Sequence, residues 1–203
     1  MQQNAGLKDL LGSGETIDTN HWLVSMVRKQ NSKNPQHIFL IIQGQAENGR
    51  HQLYRAHLVL NQASAASQLT SVTGEKAEIV LEDWSDALVV QPQKVKDYLS
   101  QCVHKQKRIS AQQAQALLTA IQADQQKDIR YSTWVNKQEV QQMSIQMGAS
   151  KETQNCASWA EWVLTRQQIE LSSSGWLGIF VVIPKVLVPD SEHGRSSAKC
   201  LVM

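Results

Sequence analysis

The feature that most constrains the fold is a pair of apolar runs separated by an Asn-Gly dipeptide. Gln36–Gln43 reads QHIFLIIQ and Gln52–Leu60 reads QLYRAHLVL, with Ala46-Glu47-Asn48-Gly49-Arg50 between them. Asn-Gly flanked by β-branched and aromatic residues is the strongest short-range hairpin signal, because the tight turns that join antiparallel strands need positive φ. An earlier β-compatible run, Trp22–Val27, and a short later one, Glu78–Leu81, extend this pattern. The first half of the chain therefore predicts an antiparallel meander.

The period changes after Gln91-Pro92, which reads as a helix start. Val95, Tyr98, Leu99, Cys102 and Val103 fall at helical spacing, which predicts a helix from Lys94 onward. Ser110, followed three residues later by Gln113, forms a capping box ahead of Leu117, Leu118 and Ile121, so a second helix begins there. A third helical pattern runs from Asn155-Cys156 through Trp159 and Leu164 to about Gln168, and Ile179–Ile183, stopped by Pro184, reads as a last buried strand. The expected class is α+β, an antiparallel sheet packed against helices. The expected organisation is a lead-in over 1–14, one domain over 15–189, and a flexible tail over 190–203.

Composition narrows the function classes. Twenty basic residues stand against 18 acidic ones, a net charge of +2, which is too weak a field to suggest nucleic acid as a partner. No apolar run approaches the roughly 18 residues that a membrane-spanning helix needs. The first residues, MQQNAGL, lack a charged segment followed by an apolar one, so a cleaved export signal is not expected. The three cysteines, Cys102, Cys156 and Cys200, show no metal-ligand spacing and cannot all pair, which predicts reduced thiols and no metal or other cofactor.

Two side chains stand where they could do chemistry. Cys156 opens a helix, and there the macrodipole and the unpaired backbone N–H groups favour thiolate and could hold an oxyanion. His37 heads the most apolar strand, where an imidazole could serve as general base. Cys102 reads as a packed core thiol, and Trp159 and Trp162, three apart on the Cys156 helix, read as core.

A strand headed by His37-Ile38-Phe39-Leu40-Ile41, a hairpin, and much later Asn155-Cys156-Ala157-Ser158-Trp159-Ala160 at a helix start resemble the circularly permuted papain-like thiol enzymes. That superfamily includes NlpC-like peptidases, the lecithin retinol acyltransferase group and effector proteins injected by intracellular bacteria. The resemblance implies a thiol-dependent hydrolase or acyl transferase (protease, deamidase, or amide or ester transfer) with Cys156 as nucleophile, His37 as base, and the Cys156 helix on an antiparallel sheet. Pairing across the Asn48-Gly49 turn brings the far end of the second strand beside His37, so Asn61 and His57 are both candidates for the group that orients its ring. His57 would resemble the two-histidine arrangement of the acyltransferase group. Glu47 lies at the wrong end of the hairpin.

Cys200-Leu201-Val202-Met203 fits C-a-a-X with a terminal Met that favours farnesyl transfer, which makes Cys200 the expected prenylation site. Combined with the resemblance, it implies an effector secreted by a bacterium into a host cell and modified by host farnesyltransferase. Such a protein would act at a host membrane, partly cytosolic, on a host protein or lipid. The alternative is a non-catalytic prenylated adaptor that binds a host protein through the glutamine-rich helix after Ser110.

Overall fold

A computed structural model describes residues 7–29, 37–60, 75–131 and 153–171. In chain order the elements are β1 (Leu7–Lys8), β2 (Thr16–Ile17), β3 (His21–Lys29), β4 (Ile38–Gln45), β5 (His51–Leu60), β6 (Glu75–Asp83), α1 (Ser85–Val90) and α2 (Pro92–Ser100). They continue with β7 (Cys102–Ser110), α3 (Ala111–Asp124), β8 (Arg130–Tyr131), β9 (Thr153–Gln154) and α4 (Cys156–Arg166).

The Asn48-Gly49 hairpin forms as its sequence requires. Ala46 N–H donates to Arg50 O at 2.8 Å, Gly49 N–H to Ala46 O at 2.8 Å, and Gly49 takes φ 83°, a backbone conformation that costs glycine little. This turn fixes the register Gln45 opposite His51 through Leu40 opposite Ala56. The meander β3-β4-β5-β6 is antiparallel throughout, with β7 added beside β3 and the short β8 and β9 beyond β6, giving the order β7-β3-β4-β5-β6-β8-β9.

Successive side chains on a strand point to opposite faces, so the sheet sorts its apolar residues into two cores. Ile38, Leu40, Ile42, Ala56 and Leu58 face Leu117 and Ile121 of α3 and Trp159 and Val163 of α4. Phe39, Ile41, Leu53 and Val27 face Val95 and Leu99 of α2, with Leu10 and Leu11 packed at the edge. The structure is thus α+β, with a large antiparallel sheet between two helical layers. On the first face, the buried Asp124 carboxylate at the end of α3 pairs with Arg166 of α4 and, at 2.9 Å, with Lys127, while the Trp162 ring lies 3.6 Å from the Arg166 guanidinium carbon.

On the second face, Asp9 ties the chain ahead of β2 to β4. Its carboxylate accepts from Leu11 N and Ser13 N at 3.0 Å each, and from Ser13 Oγ and Gln43 Nε2 at 2.7 Å each; Gln43 Oε1 in turn accepts from Leu10 N at 3.0 Å. The stretch read as a lead-in therefore contacts the sheet directly.

Three local readings differ from the structure or extend beyond it. The helix expected through Val103 stops at Ser100, and Cys102 heads strand β7, whose nine residues pair with β3 from His21 opposite Ser110 to Lys29 opposite Cys102. A full ladder of backbone hydrogen bonds outweighs the helical spacing of Cys102 and Val103, since propensity is a weak prior against tertiary pairing. The strand foreseen at Glu78–Leu81 extends over Glu75–Asp83, and α1 follows it where no helix was expected. The strand expected at Ile179–Ile183, with Asn61 and Cys200, lies outside the described residues.

Gly44 marks a close approach between β4 and the preceding strand, because a Cβ added there would overlap the ring of the buried Trp22. Gly44→Ala should destabilise the protein by about 1–3 kcal/mol, the usual cost of overpacking a core. Urea denaturation followed by tryptophan fluorescence measures this. A loss below about 0.5 kcal/mol, the level of a neutral surface change, would mean that the indole does not press on β4.

Candidate active site

His37 stands one residue before β4, on the same alternation as Phe39 and Ile41, and its ring stacks on Phe39 with centroids 6.1 Å apart and planes at 27°. The antiparallel register that pairs Leu40 with Ala56 brings His57 beside it. His37 Nε2 lies 2.6 Å from His57 Nδ1, with the rings edge to face at 66°. One nitrogen must donate and the other accept. His37 Nδ1, the remaining ring nitrogen, is buried without a hydrogen-bond partner among the described residues. His57 is only 6% exposed; burial, then the charges of Arg55 and His37, hold its pKa well below 6.5.

The surroundings of the pair include residues that the sequence reading did not single out. Arg55 sits two residues before His57 on the same face of β5. Its guanidinium carbon lies 5.0 Å from the Phe39 ring, 5.3 Å from Trp84 and 5.8 Å from Tyr98, and its Nη1 donates to Glu82 Oε2 at 3.1 Å. The period-2 alternation of QLYRAHLVL already places Arg55 beside His57, so the signal was present. Lys29, at the end of β3, holds its ammonium 5.3 Å over the Tyr98 ring.

Cys156 is the first helical residue of α4. Asn155 caps the helix, its Oδ1 accepting from Ser158 N at 2.8 Å while Ser158 Oγ accepts from Asn155 N at 2.9 Å. β9 delivers the chain to this point at the end of the sheet where β5 finishes and β4 begins, because β8 pairs with the first residues of β6 and β9 with β8. The end of the sheet is shared, but the face is not. Cys156 is 1% exposed and packs with Ile38, Leu40, Ala56 and Leu58, whereas His37 and His57 project with Phe39 and Arg55 to the α2 side.

The structure therefore brings His37 and His57 together and places Cys156 across the sheet from them. Cys102 lies on the histidine side, half-buried at the start of β7. Its Sγ donates to Tyr98 O at 3.4 Å, and burial pushes its pKa up against the opposing charges of Lys29 and Arg55. That arrangement is of a protonated, structural thiol. Comparison with known proteins finds no family model, no curated protein and no solved structure that matches this chain.

The buried imidazoles predict how stability varies with pH. A histidine whose folded pKa lies below its unfolded value leaves the unfolded state with more bound protons between the two, so stability is complete above the unfolded value and falls as pH drops below it. For His57 that window opens downward from 6.5, and His51, whose pKa is lowered by burial against the opposing charge of Asp9, adds to it. Asp9 acts lower. Burial raises its pKa, but its hydrogen bonds from Leu11, Ser13 and Gln43 outweigh that, so its contribution is lost only below 3.8. Urea midpoints should thus fall between pH 7.5 and pH 5, and less steeply in His57→Gln. An unchanged slope in the variant would show that His57 does not carry the dependence.

Proposed function

We propose that the chain is a thiol-dependent hydrolase or acyl transferase in which Cys156 is the nucleophile and His37 the base, oriented by His57. The observation that carries this reading is the imidazole pair. His57 engages Nε2 of His37 and leaves the buried Nδ1 without a partner. A buried nitrogen with no hydrogen bond costs stability, and a role in proton transfer explains why the fold retains it. A base held by a third group is also what thiol catalysis needs.

In this reaction the Cys156 thiol gives its proton to His37 Nδ1 as Sγ attacks a carbonyl carbon. The tetrahedral oxyanion is held by backbone N–H groups at the start of α4. The leaving amine or alcohol departs with the proton from His37, and the thioester is then cleaved by water, giving hydrolysis, or by an amine or alcohol, giving transfer. Sγ and Nδ1 must meet for the first step, which requires a rearrangement at the end of the sheet, because Cys156 is buried on one face and His37 projects from the other.

The second reading is a non-catalytic adaptor, favoured by the placement of Cys156 and His37 on opposite faces. Its partner surface would be the uncharged outer side of α3, where Gln112, Gln113, Gln115 and Gln122 are exposed. An action at membranes through farnesylated Cys200 belongs to both readings; it applies where Met203 ends the mature chain, and the mass of the C-terminal peptide from a eukaryotic cell tests it.

Iodoacetamide separates enzyme from adaptor. Cys102 is the more exposed of the two described thiols, so faster labelling of Cys156 near neutral pH marks activation rather than access. The enzyme reading expects this, with the rate advantage lost in His37→Ala. It also expects Cys156→Ser and His37→Ala to lower p-nitrophenyl ester hydrolysis by about 100-fold or more with the fold intact. Labelling of Cys156 no faster than of Cys102, and indifferent to His37→Ala, leaves the adaptor.

A further inference from the structure

We infer that Arg55 is a positioning residue that confines the proton gained by the imidazole pair to His37, with His57 as the neutral acceptor of the His37 Nε2–H hydrogen bond. The inference rests on the reading of His37 as a base and adds to it where the proton stays once taken.

The guanidinium is firmly fixed. Arg55 is enclosed by Phe39, Trp84 and Tyr98, from β4, the β6–α1 junction and α2, and is bound to Glu82, its register partner on β6. Its side chain is 17% exposed. A cation so held cannot swing into water, so its charge acts on whatever lies beside it.

His57 lies two residues along the same strand on the same face, and His37 and Arg55 both lie against the Phe39 ring. The other ionisable groups on this face at the His57 end are Lys29 of β3, Cys102 and His104 of β7, Tyr98 of α2, Lys76, Glu78 and Glu82 of β6, and Arg130 of β8, while His51 and Asp9 lie towards the other end. The fixed charges of Arg55, Lys29, Lys76 and Arg130 oppose further positive charge here. Of the two carboxylates at the His57 end, Glu82 is bound to Arg55, and Glu78 is exposed and opposite Val59, beyond His57 along the strand.

An extra proton on the pair has two places to go. On His57 it would be buried and close to a fixed cation. On His37, half-buried and at the end of the strand, it is less confined. With His37 charged, both its nitrogens carry hydrogen, so Nε2–H must donate and His57 Nδ1 must accept, the only pattern compatible with the 2.6 Å separation. During thiol chemistry the proton taken at Nδ1 would then remain on His37, available to the leaving group, instead of passing to His57. The charge on Arg55 enforces this order, and its stacked rings keep that charge in place.

Imidazole 15N and 13C shifts, recorded on the full chain between pH 8 and pH 4.5, locate the added proton. In the wild type it should reside on His37 while His57 remains neutral. Arg55→Gln should raise the His57 midpoint by about 1 pH unit, the low end of what a neighbouring charge produces. Arg55→Lys should restore the wild-type order. His57 charging before His37 in the wild type, or an unmoved midpoint in folded Arg55→Gln, would overturn the assignment. Should Arg55→Gln fail to fold, Glu82→Gln decides. Removing the counter-charge must lower the His57 midpoint further, and an unchanged midpoint counts against the inference. The titration needs no turnover, so its failure is distinguishable from that of the thiol reading, which depends on the reactivity of Cys156.

Discussion

Strand β4 is buried along its whole length on both sides, and the rest of the structure depends on that. A strand with no solvent face must be covered by two layers, one for each set of alternating side chains. Ile38, Leu40 and Ile42 draw α3 and α4 onto one side; Phe39 and Ile41 draw α2 and the N-terminal hairpin onto the other. A one-residue slip in the β4–β5 register would exchange these sets and move His57 from one core to the other. The five-residue connection through Asn48-Gly49 fixes the register, and hence the company each histidine keeps.

The parts of this arrangement legible in the sequence were those encoded locally. The Asn-Gly turn, the alternation on either side of it, and the capping box at Ser110 each specify an element through a few neighbouring residues. The turn brought the far end of β5 beside His37 and left Asn61 and His57 as alternatives there; the register seats His57 against it. Cys102–Ser110 was not legible in that way, because CVHKQKRIS pairs no apolar alternation with a turn signal and becomes a strand only through its ladder with β3. The faces were half legible. Alternation puts His37, Phe39, Arg55 and His57 together, but nothing local says that α4 comes to rest on the other side, since that depends on a chain path through β8 and β9 to the far edge of the sheet.

The α2 face carries an unusual polar load for a core. Two imidazoles, a guanidinium and the Gln43–Asp9 network lie beside Phe39, Ile41 and Leu53, with His57, Gln43 and Asp9 buried and His37 and Arg55 partly so. Most of these groups are satisfied: Asp9 accepts four hydrogen bonds, Arg55 has a carboxylate and three rings, and His57 is paired with His37. Each such pairing offsets a desolvation cost that an apolar side chain would not incur. Trading plain hydrophobic packing for a fixed polar cluster yields orientation more than stability, and orientation is what a proton acceptor requires.

Two separate cores therefore hold the two halves of the proposed thiol site. The imidazole pair is fixed by the α2 layer and the sheet; Cys156 is fixed by the cap of α4 and the α3–α4 layer, where Asp124, Arg166 and Trp162 lock the helices together at their far ends. Each half can thus keep its geometry without the other. The interior of the sheet is impassable, as its strands are hydrogen-bonded from β7 to β6. Contact between Sγ and Nδ1 is confined to the strand ends, where His37 precedes the first residue of β4 and Cys156 is the first residue of its helix. Neither residue is enclosed in the middle of a regular element, but Cys156 is itself a buried member of the α3–α4 core, so its approach to His37 would disturb that core as well as one cap and one strand end.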